Sequence, residues 1–168
     1  VNVLLFGIDR RDPNEKGSRS DAIMIATVDK KHQKLKLTSL MRDMYVSIPG
    51  KPDHKLNSAY AFGGPALAIK TVNTNFDLNI KRYATVDFFG LENIIDTLGG
   101  VEIDVKKGEV KYINQYLDEL NSIDQSGKKS PYVTDAGLQT LDGKQAVAYC
   151  RIRYVGRDDF ERTERQRR

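Results

Sequence analysis

Three apolar runs crowd into the first 41 residues: VNVLLFG, AIMIATVD and KLKLTSLM. The first two are almost continuously apolar, as strands covered on both faces are, while KLKLT alternates. The long polar loop IDRRDPNEKGSRSD and the short turn DKKHQ separate them. MYVSIPG adds a short strand ended by Pro49 and Gly50. KPDHKLNSAY reads as a loop, and GGPALAIKTVNTNF as a helix with Pro65 in its first turn. RYATVD reads as a strand and DFFGLENIIDTLGG as a helix, capped by Asp87 and ended by Gly99, with Leu91, Ile94, Ile95 and Leu98 on one face. VEIDV is a further strand. The polar stretch 106–133 holds one amphipathic segment, EVKYINQYLDEL, read as helical. By period LDGKQAVAYCRIR fits helix or strand, and Asp142 as an N-cap favours the helix. Strands alternating with helices predict an α/β fold: a central mixed, mostly apolar β-sheet flanked by helices on both faces. A length of 168 residues fits one domain with a proper core.

Charge is concentrated at one end. Residues 151–168, RIRYVGRDDFERTERQRR, hold seven arginines and no lysine, whereas residues 1–150 hold five arginines and all fifteen lysines. The first 150 residues are nearly neutral, and most of the formal net charge of +4 comes from this tail. A local excess of this kind suits a site for anions better than a generally basic surface. Arginine presents a planar fork of donors that grips phosphate or carboxylate oxygens in pairs, and lysine is a flexible point charge. Arg151 and Arg153 sit two apart; Arg162 and Arg165 can share a helical face, with Gln166 adjacent. The competing reading is a solvated helix in which Glu161 and Glu164 pair with its own arginines.

Carboxylates stand near strand ends. Asp9 follows the first strand and Asp21 opens the second; if the two strands are neighbours, both can reach one sheet edge. A hard divalent cation such as Mg2+ takes one or two protein carboxylates together with phosphate oxygens. The alternative leaves Asp21 capping a turn and Asp9 paired with Arg10 and Arg11. Arg19 lies two residues before Asp21, Arg42 and Asp43 end the third strand, and Lys55 and Asn57 precede Gly63 and Gly64. A glycine pair before a helix is a weak anion signal, and the Gly-Lys-Ser/Thr element of a P-loop is absent.

Other chemistries find little support. His32 and His54 have no metal-ligand spacing, and no Gly-x-Ser-x-Gly element occurs. Cys150 is the only cysteine and sits in apolar AVAYC, as a small core residue would. Arginines and carboxylates suit phosphoryl transfer, where positioning and charge neutralisation do most of the work. Against nucleic acid as a partner stand the near-neutral first 150 residues, the lack of a recognition helix or stacking motif, and the acidic residues that accompany the arginines.

The segments LLFGID, RSD, SLMRDMYVSIPG, KLNSAYAFGG, VDFFGLENIIDTLGGVEIDV, LDGKQAVAYCRIR and DFERTERQ run in order from Leu4 to Gln166. This ordered set resembles the LytR–CpsA–Psr family of cell-wall glycopolymer phosphotransferases. The resemblance implies a membrane-anchored enzyme on the extracytoplasmic face of the cell membrane in Gram-positive-type bacteria. It implies transfer of a glycopolymer from a polyprenyl-pyrophosphate lipid carrier to peptidoglycan, at the 6-hydroxyl of muramic acid, as a phosphodiester assisted by Mg2+ or Mn2+. By motif position it implies Asp9 and Asp21 as metal carboxylates and Arg19, Arg42, Arg151, Arg153, Arg162 and Gln166 as pyrophosphate-binding residues. Arg42 and Asp43 become the catalytic pair, with Asp43 either orienting Arg42 or helping to deprotonate the acceptor.

The resemblance also implies a single catalytic domain over residues 1–168, cut short at both ends, without the N-terminal anchor and the continuation of the last helix. It implies an apolar tunnel for the prenyl chain, with the apolar strands and DFFGLENIIDTL as candidate walls. Met41 stands where family members often carry proline, and stretch 106–133 matches the family poorly. Two other activities use the same residues: hydrolysis of the pyrophosphate, and binding of wall polymer or lipid carrier without turnover. Oligomeric state is left open.

Overall fold

The computed structural model describes residues 1–8, 18–124, 127–153 and 158–167, with the backbone alone at 158–160. The chain forms two compact units, Val1–Phe88 and Phe89–Arg168.

The first unit is built on a mixed sheet. Its strands are β1 (Asn2–Ile8), β2 (Ser20–Asp29), β3 (Lys34–Leu40) and β6 (Arg82–Val86), in the order β3-β2-β1-β6. β1 runs antiparallel to β2 and parallel to β6, and β2 runs antiparallel to β3. The register places Leu4 opposite Ile25 and Phe6 opposite Ile23, so their side chains share one face, and all four are buried. The short strands β4 (Tyr45–Val46) and β5 (His54–Lys55) pair separately. Helix α1 (Leu56–Phe76) adds Leu56, Ala59, Ala68 and Val72 to the core formed by that sheet face.

Helix α1 begins seven residues earlier than the expected start at Gly63. LNSAY, read as the end of a loop, is helical because Leu56 and Ala59 are buried and the Leu56 and Asn57 amides donate to the Met44 and Arg42 carbonyls at 2.8 and 3.0 Å. The helix then kinks at Gly63 and Gly64; Gly64 has φ 62° and ψ −160°, a conformation open in practice only to glycine. Pro65 starts the second segment, the role expected of it. After the helix, the Asn73 side chain donates to the Ile80 carbonyl and accepts from the Ile80 amide, both at 2.9 Å, which fixes the approach to β6.

The second unit holds most of α2 (Phe88–Thr97), then β7 (Val101–Val105), α3 (Lys107–Ile123), β8 (Gly137–Leu141), α4 (Gly143–Arg151) and α5 (Asp158–Arg165). Helix α2 ends as expected: Gly99 and Gly100 have positive φ, and the Gly100 amide donates to the Ile95 carbonyl at 2.9 Å. Its apolar face is less covered than the sequence pattern suggests, since Ile94 is 52% and Leu98 77% exposed while Glu92 is buried. Strand β8 was not anticipated. Its GLQTL lacks a clear strand period and becomes a strand by antiparallel pairing with β7, which sets Val101 opposite the buried Leu141.

Asp142 does cap a helix. It accepts from the Gln145 amide, and the Gln145 side chain accepts from the Asp142 amide, both at 2.9 Å, completing a capping box. Gly143 is required there, because a Cβ would lie 2.3 Å from the Glu92 carbonyl oxygen. Burial raises the pKa of the Cys150 thiol to about 11, so the thiol stays protonated, in keeping with a packing residue.

Candidate functional site

In the first unit the strand ends gather charge. The register sets Ile8 opposite Ser20, with an irregularity after Gly7, so the end of β1 and the start of β2 meet at one end of the sheet. That meets the condition for Asp9 and Asp21 to share an edge, although Asp9 itself lies outside the described residues. Arg19 is exposed between buried Ser18 and Ser20.

Arg42 and Asp43 sit in a turn closed by the Met44 amide on the Met41 carbonyl at 3.1 Å, not in the extended end of β3. The turn lets neighbouring side chains meet: Arg42 Nε donates to Asp43 Oδ2 at 3.3 Å, while Arg42 Nη1 reaches Asp21 Oδ1 at 2.5 Å. Lys55 Nζ donates to Asp43 Oδ1 at 2.8 Å. Arg42 is therefore held between carboxylates from two segments, with its fork direction set from both sides. The Lys55 hydrogen bond and the Arg42 charge hold the Asp43 carboxyl below its usual pKa against the opposing effect of burial. A carboxylate of lowered basicity, already accepting from two cations, is suited to orienting Arg42 rather than to taking a proton.

Three buried polar atoms adjoin these residues along the chain and have no hydrogen-bond partner among the described residues: Ser18 Oγ, Ser20 Oγ and Asn57 Oδ1. Orphaned buried groups of this kind are uncommon and mark places where a ligand or water can complete the bonding.

In the second unit the arginines divide by environment. Arg151 donates from Nη2 to both carboxylate oxygens of Glu119, at 3.2 and 3.1 Å, and its guanidinium carbon lies 4.9 Å from the Tyr116 ring centroid. Arg153, two residues on, is exposed. Arg162 is buried on α5, and Gln166, just past the helix, is half-buried with its amide on the Arg162 carbonyl at 3.0 Å. Internal helix pairing occurs at Arg165, whose Nη2 donates to Glu161 Oε2 at 3.1 Å. Its Nε donates to Glu109 Oε1 at 2.9 Å, a contact with no counterpart in the sequence reading. The only forewarning was a glutamate opening the amphipathic stripe of α3.

Residues 1–168 match the LytR_cpsA_psr family. The regulatory protein MsrR of Staphylococcus aureus is 39% identical over 168 residues, covering 99% of this chain and 46% of that protein. The polyisoprenyl-teichoic acid–peptidoglycan teichoic acid transferase TagU of Enterococcus faecalis is also 39% identical, over 99% of this chain and 50% of its own length. Among solved structures, TagT bound to LI-WTA superposes with a TM-score of 0.80 at 35% identity, over 99% of this chain and 59% of that one. YwtF (TagT) with bound octaprenyl pyrophosphate lipid gives 0.77 at 34% identity, over 99% and 60%. The chain thus spans about half the length of the curated relatives it matches. With a match along its whole length and the mixed α/β fold of those structures, the chain belongs to the LytR–CpsA–Psr family.

Proposed function

We propose that the protein to which this chain belongs transfers a glycopolymer from a polyprenyl-pyrophosphate carrier to a hydroxyl of peptidoglycan. The observation that carries this reading is the clamp on Arg42, a guanidinium fixed by Asp21 at 2.5 Å and by Asp43 at 3.3 Å. An arginine fixed in this way suits a charge that develops at a defined place, as it does on a leaving phosphate. Family membership and the octaprenyl pyrophosphate lipid named with YwtF (TagT) support the same substrate class.

In the reaction, the acceptor oxygen attacks the phosphorus that carries the glycan, and the bond from that phosphorus to the bridging oxygen breaks. Polyprenyl phosphate leaves, the glycan becomes joined to the acceptor by a phosphodiester, and the hydroxyl proton is released. Arg19, Arg42, Arg151, Arg153, Arg162 and Gln166 are assigned to phosphate oxygens, as the family resemblance implies. Arg151 would exchange part of its Glu119 pairing for phosphate. Asp43 keeps Arg42 in its working orientation.

The donor set suits Mg2+ or Mn2+. Asp21 offers a hard carboxylate that is 27% exposed, and phosphate oxygens are ligands of the same kind. Among the described residues no three His, Cys, Asp or Glu side chains cluster as a protein-only cage. Asp21, with Asp9, would hold the ion, which when bound would neutralise phosphate charge.

Extracytoplasmic placement belongs to the same proposal; no helix among the described residues is long and apolar enough to cross a membrane. The test supplies the full-length protein with a polyprenyl-pyrophosphate-linked glycan and a muramic-acid-containing acceptor, with and without EDTA. Metal-dependent loss of donor with gain of a ligated product supports the reading, and an intact donor under all conditions refutes it.

A further inference from the structure

Two short segments of the second unit carry the assigned phosphate ligands: the end of α4, with Arg151 and Arg153 on either side of Ile152, and α5 with its exit, bearing Arg162 and Gln166. One buried side chain touches both. Arg165, 4% exposed, donates from Nη1 to the Ile152 carbonyl at 3.3 Å and from Nη2 to Glu161 on its own helix at 3.1 Å. Its Nε bonds Glu109, which is 1% exposed, at 2.9 Å. Glu109 is fixed in turn, since its Oε2 accepts from the Lys106 amide at 3.0 Å at the start of α3. A single guanidinium therefore spans three segments, and the carboxylate beneath it is locked to the backbone.

We propose that Arg165 is a positioning residue for the pyrophosphate-binding arginines, with Glu109 as its anchor. It does not touch the ligand; it fixes the Arg151–Arg153 segment against the helix that carries Arg162 and Gln166. The inference rests on the function proposed above. The chemistry selects arginine, because three nitrogens pointing in different directions are in use, and a lysine ammonium could keep the charge on Glu109 while losing the Ile152 carbonyl. A buried carboxylate also needs a buried cation, so the pair has a reason to persist apart from ligand binding. That second role makes substitution by alanine a poor test.

The experiment uses the full-length protein and farnesyl pyrophosphate as the probe, with binding followed by calorimetry and folding by thermal melting. Variants are Arg165→Lys, Glu109→Gln, Arg162→Ala and the Arg162→Ala/Arg165→Lys double. Arg165→Lys is expected to melt cooperatively and to bind about tenfold more weakly. The double variant should bind more weakly than either parent but by less than the product of the two losses, because part of the effect of Arg165 runs through Arg162 and part through Arg151 and Arg153. Wild-type affinity in Arg165→Lys, or losses that multiply in the double variant, would overturn the assignment. If Arg165→Lys does not fold, Glu109→Gln takes its place, with the same loss expected and the same contradiction if affinity is unchanged. A wild type that does not bind the probe, or an Arg162→Ala variant that binds it equally well, refutes the functional reading itself and the inference with it. A wild type that binds, weakened by Arg162→Ala but not by Arg165→Lys, removes only the role of Arg165.

Discussion

Arg42 and Asp21 meet at 2.5 Å across 21 positions of sequence, one from the turn after β3 and the other from the start of β2. The pairing follows from register. Ile23 lies opposite Leu40, so Asp21 and Arg42, each two positions beyond that pair, come to the same end of the hairpin. Asp43 then holds the same guanidinium from the other side.

Arg42→Lys should lower turnover by about 100-fold or more, since a point charge cannot be held between two carboxylates and still present a fork to phosphate. Asp21→Asn should lower it similarly, by loosening Arg42 and removing the carboxylate proposed for the metal. Both residues are partly exposed, so the melting temperature should stay close to wild type. Steady-state rates and melting curves on the same preparations check this. Full activity in either variant contradicts the site.

A buried cation stabilises the second unit. Lys144, 1% exposed on α4, forms a direct ion pair with Asp124, donates to the Lys128 carbonyl and lies 3.9 Å from Glu92. Removing one partner of a buried pair leaves charge buried without its counterion. Lys144→Met should therefore destabilise the protein by about 3–5 kcal/mol. Denaturant unfolding measures it, and a loss under 1 kcal/mol would show that the cluster is more hydrated than its burial suggests.

The neighbouring carboxyls should give opposite pH signatures. Burial raises the Glu92 pKa, with Lys144 opposing and Asp124 and Asp96 adding to the rise. The folded state thus binds the Glu92 proton more tightly than the unfolded chain. This contribution is present below the unfolded value and is lost as pH rises through the folded one. Asp96 is the reverse: the Lys128 side chain and the Gly143 amide lower its pKa, so its contribution is present above the unfolded value and is lost as pH falls through the folded one. Glu92→Gln should flatten the decline in stability on the alkaline side of the unfolded glutamate pKa, and Asp96→Asn should flatten the decline at low pH. Unfolding free energies across pH 3–8 test both signs.

Legibility in the sequence tracked the range of the interactions involved. The β1 and β2 runs, the Asp142 cap and the Gly99 stop were readable because hydrophobic period and capping are local. β8 was not, since Gly137–Leu141, with its two leucines three positions apart, lacks the alternation of a strand and becomes one by pairing with Val101–Val105. The start of α1 was missed because Lys55 supplies no side-chain cap, and the first turn is fixed by carbonyls of Arg42 and Met44. In the proposed site, arginine enrichment singled out the tail without separating its members. Arg165 and Arg162 share a helix and the same burial, and the contacts that set Arg165 apart, with the Ile152 carbonyl and with Glu109 56 positions away, are not legible in the sequence.

The most direct measurement is the mass of the product formed by the full-length protein from a polyprenyl-pyrophosphate-linked glycan, Mg2+ and a muramic-acid-containing peptidoglycan fragment. The predicted product has the mass of glycan and fragment joined through one phosphodiester, formed together with polyprenyl phosphate. Glycan phosphate released to water with the fragment unchanged, or donor recovered intact, would contradict the transfer reaction.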